Sequence, residues 1–119
     1  MSDGSHGAER ALPELVGRIW AQVIAQVNTL INAHEKFGFV KFGELLDPSL
    51  KDVVKGFELV DFALSQFEQS GLLGYDERRD ALNSRQCILK MKLLAAALDG
   101  DQEAEAEEIM AELRRQSKF

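Results

Sequence analysis

The stretch ALPELVGRIWAQVIAQVNTLINAHEK, residues 11–36, decides the fold class. Its apolar residues Leu12, Leu15, Val16, Ile19, Trp20, Val23, Ile24, Val27, Leu30 and Ile31 recur at steps of three and four. At ~100° per residue they cover roughly half the circumference of an α-helix. Glu14, Arg18, Gln22, Asn28, Asn32 and Lys36 take the opposite side. One neighbour does not need so wide a stripe. The spacing predicts a helix with two partners, either two other helices or one helix and a second subunit.

Downstream, Phe37-Gly38-Phe39-Val40-Lys41-Phe42-Gly43 breaks the helical period with two glycines and alternating aromatics, and reads as a loop or short extended piece. Asp47-Pro48 opens the next helix: Asp caps free backbone N–H groups, and Pro in the first position gives up no hydrogen bond. From there Leu50, Val53, Phe57, Val60, Leu64 and Phe67 step alternately by three and four, a heptad seam. Leu59 and Phe62 fall on the other side of that helix. Gly56 interrupts it at a cost of ~1 kcal/mol relative to Ala, and Gly71 stops it. Asp76 reads as the cap of a third helix, and Asp99-Gly100-Asp101 turns the chain into a fourth. Upstream, residues 1–10 are polar and rich in Gly and Ser and read as a flexible tail. The expected fold is all-α, an antiparallel bundle of four helices (about 11–36, 48–70, 76–98 and 102–116) with an aromatic loop at 37–43. Residues 11–119 form a single domain in this reading.

Charge is segregated in the last two helices. Residues 78–92 hold Arg78, Arg79, Arg85, Lys90 and Lys92 against the single acid Asp80, whereas residues 99–112 hold seven acids and no base. Folding one helix back on the other about Gly100 brings Lys92 near Glu108. The acids also lie at the positive end of the fourth helix, and Arg114 and Arg115 at its negative end.

With 119 residues, the chain has the size of one domain, and 45% hydrophobic residues suffice for one core. A net charge of −6 argues against a general grip on phosphate backbones. The longest apolar runs, such as Leu93 to Leu98, fall far short of the ~20 residues that span a bilayer. The lone Cys87 and the absence of an apolar segment near Met1 point to the cytoplasm, with no membrane association.

The segment Phe37-Gly38-Phe39-Val40-Lys41-Phe42 resembles the RNP1 motif of RNA-recognition modules and, more loosely, the aromatic strand of cold-shock domains. The resemblance implies a strand whose aromatics stack on bases. It covers six residues, Lys36 stands where the motif has its first Gly, and one long helix fills the space where a strand, a helix and a strand should precede it. The preferred reading has Phe37, Phe39 and Phe42 plugging the open end of the bundle. His34, with Glu35 beside it and His6 in the tail, lacks a second ligand at metal-binding spacing. Asp99-Gly100-Asp101 has its Gly in the wrong place for an EF-hand loop. Cys87, between Arg85 and Lys90, has basic neighbours of the kind that lower a thiol pKa but no partner set for catalysis. No phosphate loop, nucleophile triad or cofactor signature is present, so no cofactor or metal is expected and an enzyme is disfavoured.

More telling is an excess of apolar surface. Besides Leu59 and Phe62, the third helix carries Leu82, Leu89 and Leu93 on one side and Cys87, Met91, Leu94 and Leu98 around another. The expected function is a small interaction module (adaptor, regulator or chaperone-like) that binds a protein partner or itself as a homodimer, through Trp20, Leu59 and Phe62. The alternatives are a nucleic-acid-associated factor using Phe37, Phe39, Phe42, Arg78, Arg79 and Arg85, and an enzyme or small-ligand binder with a site inside the bundle.

Overall fold

The computed structural model describes the backbone of residues 2–46 and 49–117, and side chains of residues 11–36 and 52–117 together with Gly38. Four helices follow one another: α1 (Ser2–Leu46), α2 (Ser49–Ser70), α3 (Tyr75–Asp99) and α4 (Glu103–Gln116). They pack as the expected all-α bundle.

Two boundaries differ from the sequence reading. α1 begins at Ser2 rather than Ala11, and it continues through the segment expected to be a loop. Its only non-helical residue is Gly38, at φ 67° and ψ −173°, a backbone conformation that essentially only glycine adopts. One glycine therefore breaks the helix, and the stretch beyond it, with Lys41, Glu44 and Leu45, has enough helix formers to resume. The caps Asp47 and Pro48 and the side chains of Phe37, Phe39, Phe42 and Leu50 lie outside the described residues. Gly71 ends α2 as the sequence predicts, with a left-handed φ of 73°. α3 is capped by Gly74, so Asp76 sits inside its first turn rather than before it. At the last turn the left-handed residue is Asp101 (φ 55°), not Gly100, and Gln102 N–H donates to the Ala97 carbonyl at 2.8 Å.

The core follows the seams. Val16, Val23, Val27, Leu30 and Ile31 of α1 meet Ala81, Ser84, Cys87, Ile88, Met91, Leu94 and Ala97 of α3, with Val54 and Leu64 from α2 and Ala106, Ile109, Met110 and Leu113 from α4. Phe57, Val60 and Phe67 of the α2 seam pack against this cluster. The only buried polar residue among these, Ser84, donates its hydroxyl to the Asp80 carbonyl at 2.7 Å, so its burial leaves no donor unmet.

α1 and α3 form the central pair and both touch α2 and α4, but among the described residues α2 and α4 do not pack on each other. The width of the α1 stripe is thus used up by three helices of the same chain. α2 is tied to α3 by ion pairs: Arg85 donates to Asp61 and to Glu68, each at 3.1 Å, and Lys92 lies 3.7 Å from Glu58. α4 is tied to α3 by Lys90 with Glu112 and by a Gln116 to Gln86 hydrogen bond. In both pairs later residues of one helix meet earlier residues of the other. The expected contact of Lys92 with Glu108 is not made, because the α3–α4 turn centres on Asp101 rather than Gly100 and Lys92 faces α2.

Two measurements check this packing. Leu94 is fully buried and its neighbour Leu93 is 46% exposed, so Leu94→Ala should cost about 2–5 kcal/mol in chemical denaturation and Leu93→Ala less than about 0.5 kcal/mol. Equal costs would mean that Leu93 is covered by the fold. Burial pushes the Cys87 thiol up to about 11, with Lys90 opposing, so little thiolate exists near neutral pH. Alkylation at pH 8 should proceed only as fast as the protein opens and become immediate in denaturant. Rapid alkylation of the native protein would contradict the buried placement.

Candidate functional site

The two central helices turn very different outer sides to solvent. On α1 that side carries Glu14, Arg18, Ala21, Gln22, Asn28 and Asn32, all exposed. On α3 it carries Tyr75, Leu82, Leu89, Leu93 and Ala96, also exposed. Tyr75, Leu82, Leu89 and Ala96 are spaced by sevens, which keeps them on one line along the helix. Because α2 and α4 flank α3 without meeting, nothing among the described residues covers this line.

α2 extends the same face. Leu59 is 77% exposed and Phe62 is 65% exposed. Asp61 meets Arg85 and Glu58 meets Lys92, so Phe62 and Leu59, each one residue further on, point to solvent about 100° round α2 from the acids that border α3. Leu72, in the α2–α3 turn, is exposed as well. Among the described residues, seven of the eight exposed large hydrophobic side chains lie between positions 59 and 93, Leu15 being the eighth. Their concentration on one helix pair separates them from the scattered apolar residues that any surface carries.

Acidic residues edge this face along α4. Glu112, whose carboxyl Lys90 holds below the usual carboxylate range, marks the side of α4 that borders α3. Glu108 and Glu105 precede it by four and seven residues and share that side.

The predicted partner residues separate in the structure. Leu59 and Phe62 are on the exposed face. Trp20 is half-buried and packs against the core. It projects from α1 on the flank away from α2, because Gln22, Gln26 and Thr29, about a third of a turn or more around the helix, are the residues that face α2. Periodicity places Trp20 in the wide stripe of α1 and Leu59 and Phe62 opposite the α2 seam, and tertiary contacts leave only the latter two uncovered. The signal for Leu82, Leu89 and Leu93 was in the sequence; Tyr75 and Leu72 carried none.

The residues of the nucleic-acid alternative differ in their surroundings, with Arg78 exposed at the start of α3. Arg85 is held by Asp61 and Glu68, Arg79 lies 3.9 Å from both Asp76 and Asp80, and Lys90 and Lys92 are paired with Glu112 and Glu58. Backbone around Phe37, Phe39 and Phe42 is helical apart from Gly38, so these residues do not alternate as a base-stacking strand requires.

Two other places were candidates for chemistry. An open groove of about 470 Å³ between α1 and α2 is lined by Gln22, Gln26 and Thr29 on one wall and Val53, Phe57 and Val60 on the other; it has no titratable group, and the Thr29 hydroxyl is spent on the Ala25 carbonyl at 3.0 Å. His34 lies between α1 and α4. Its Nδ1 accepts from the Arg114 guanidinium at 3.0 Å and its Nε2 lies 3.2 Å from Glu107 Oε1. Since Arg114 can only donate, the neutral ring carries its proton on Nε2 and donates to Glu107. Arg114 also lies 3.7 Å from Glu35. The cluster ties α1 to α4. Among the described residues, no three His, Cys, Asp or Glu side chains could together hold a metal ion, and no helix is long and apolar enough to cross a membrane.

Comparison with known protein families, with characterised proteins and with solved structures gave no match for this chain.

Proposed function

We propose that this protein is a protein–protein interaction module of the adaptor, regulator or chaperone-like kind, and that its partner docks on the outer face of α2 and α3. The observation that carries this reading is the uncovered line Tyr75–Leu82–Leu89–Leu93 with Leu59 and Phe62 beside it. Each such side chain gains roughly 1.5–3 kcal/mol when fully buried, so a partner helix or sheet covering several of them gains enough to offset the cost of association. The ion pairs Arg85–Asp61 and Lys92–Glu58 lie within the face and hold α2 at fixed level against α3. A face fixed before binding loses less entropy on docking. Phe62 is a suitable anchor, since an aromatic ring buries a large area with only two rotatable bonds.

A photo-crosslinking amino acid placed at Leu82 or Leu89, and at Arg18 on the polar side of α1 as a control, tests the assignment in cells. Protein adducts from positions 82 and 89 but not 18 are expected. Phe62→Asp should abolish those adducts while far-ultraviolet circular dichroism stays unchanged, because the side chain is already in water. Adducts equally abundant at position 18, or a loss of helicity in the Phe62→Asp variant, would refute the docking face.

A further inference from the structure

The uncovered face is unlike at its two ends, and that asymmetry bears on what covers it. Near the start of α3, exposed Arg78 and Arg79 follow Tyr75. Near the end of α3, the neighbouring edge is the first half of α4, with Glu105 and Glu108 exposed. Lys90 opposite Glu112 and Gln86 opposite Gln116 set the level: Glu108 stands beside Leu94 and Glu105 beside Ala97. The face thus carries Arg78 and Arg79 at one end, where Asp76 and Asp80 each lie 3.9 Å from Arg79, an apolar middle of Leu82, Phe62 and Leu89, and Glu105 and Glu108 at the other end.

Resting on the docking face proposed above, we infer that its occupant is a second copy of this chain, laid face to face with α3 against α3 in opposite directions. A two-fold axis midway between Leu82 and Leu89 brings Leu82 of each copy onto Leu89 of the other. The same axis brings Tyr75 onto Ala96, so the largest side chain of the line meets the smallest. Phe62 stands next to this axis, because Asp61 meets Arg85 at the midpoint of the line. The apolar centre and charged ends are the arrangement of a specific interface, with anchors desolvated in the middle and polar groups at the rim.

Charge then selects the direction. This axis keeps the α4 edges of the two copies on the same side of the dimer. Arg79 lies on the α4 edge of its own helix, seven residues before Gln86, which bonds Gln116. Under the two-fold it comes level with Lys92 of the second copy, over Glu108 and Glu112 of that copy's α4. Arg78, on the α2 edge, comes level with Leu93 and close to Glu58 of the second copy. Both contacts occur twice, as any isologous interface requires. Parallel copies would instead bring Arg78 and Arg79 of each copy level with those of the other and lay α4 of one copy over α2 of the other, so the arginines repel and the α4 glutamates lose their basic partners. A chain with net charge −6 can therefore associate with itself, because each acidic edge meets the basic end of the other copy.

Charge reversal in matched halves tests the pairing. Arg78→Glu with Arg79→Glu makes both ends of the face acidic, and Glu105→Lys with Glu108→Lys makes both ends basic. Sedimentation velocity on the full chain should find the wild type dimeric, each reversed protein weakened roughly tenfold or more in self-association, and an equimolar mixture of the two restored to wild-type affinity or better. Leu89→Asp should weaken the wild-type dimer by about 100-fold or more with its helicity intact. All four reversed positions are exposed, so folding is not at stake. A wild type that stays monomeric at about 100 μM, or a mixture no tighter than its components, overturns the inference. Crosslinks from positions 82 and 89 separate the two levels of failure. Adducts to another protein from a monomeric chain overturn only the second copy, whereas no adducts at all overturn the docking face with it.

Discussion

The pairing of α1 with α3 is the constraint on which the rest of the molecule depends. Val16, Val23, Val27 and Leu30 on one helix and Ser84, Cys87, Met91 and Leu94 on the other are almost entirely removed from water. Once these two lines face each other, α2 and α4 can only fill the two clefts at the sides of the pair, each touching both central helices and neither touching the other. The arrangement leaves two outer sides uncovered. α1 presents polar residues on its outer side and needs no cover. α3 presents leucines, and among the described residues no further helix lies on them.

The basic residues of α3 acquire a structural role from the same geometry. Arg85 and Lys92 turn toward α2 and Lys90 toward α4, so a helix that looks uniformly basic in the sequence is divided between two acidic neighbours. Partly exposed pairs of this kind each contribute little to stability. Their value is in position, since they fix the level of α2 and α4 along α3. In the same way Arg114 links His34 and Glu35 of α1 to α4. The cations that a nucleic-acid surface would need are largely occupied in holding helices in place.

Much of the fold was legible before any coordinates. Steps of three and four identified the buried line of α1 and the half-buried seam of α2, though buried Val54 lay outside that seam, and Gly71 marked a helix end that its left-handed backbone fulfils. The errors came where a local signal was stronger than its structural consequence. Two glycines and three aromatics at 37–43 read as a loop, but only Gly38 leaves the helical conformation. Cys87 between two bases read as a candidate for a lowered pKa, but Arg85 faces α2, and desolvation of the buried sulfur outweighs Lys90. Trp20 read as a docking anchor, but it packs against the core.

By itself the sequence determined that the chain is helical, roughly where α2, α3 and α4 run, and that Leu59, Phe62 and the Leu82–Leu89–Leu93 side of α3 are apolar beyond the seams. These properties depend on spacing along one chain, and periodicity reports them directly. Tertiary structure alone decided which apolar line would remain in water. Leu15, Leu82, Leu89 and Leu93 recur as regularly as the residues that are buried, whereas Leu59 and Phe62 already stood off the α2 seam in the sequence. Their exposure depends on α2 and α4 standing on opposite flanks of α3, a relation between helices distant in sequence that no local pattern encodes.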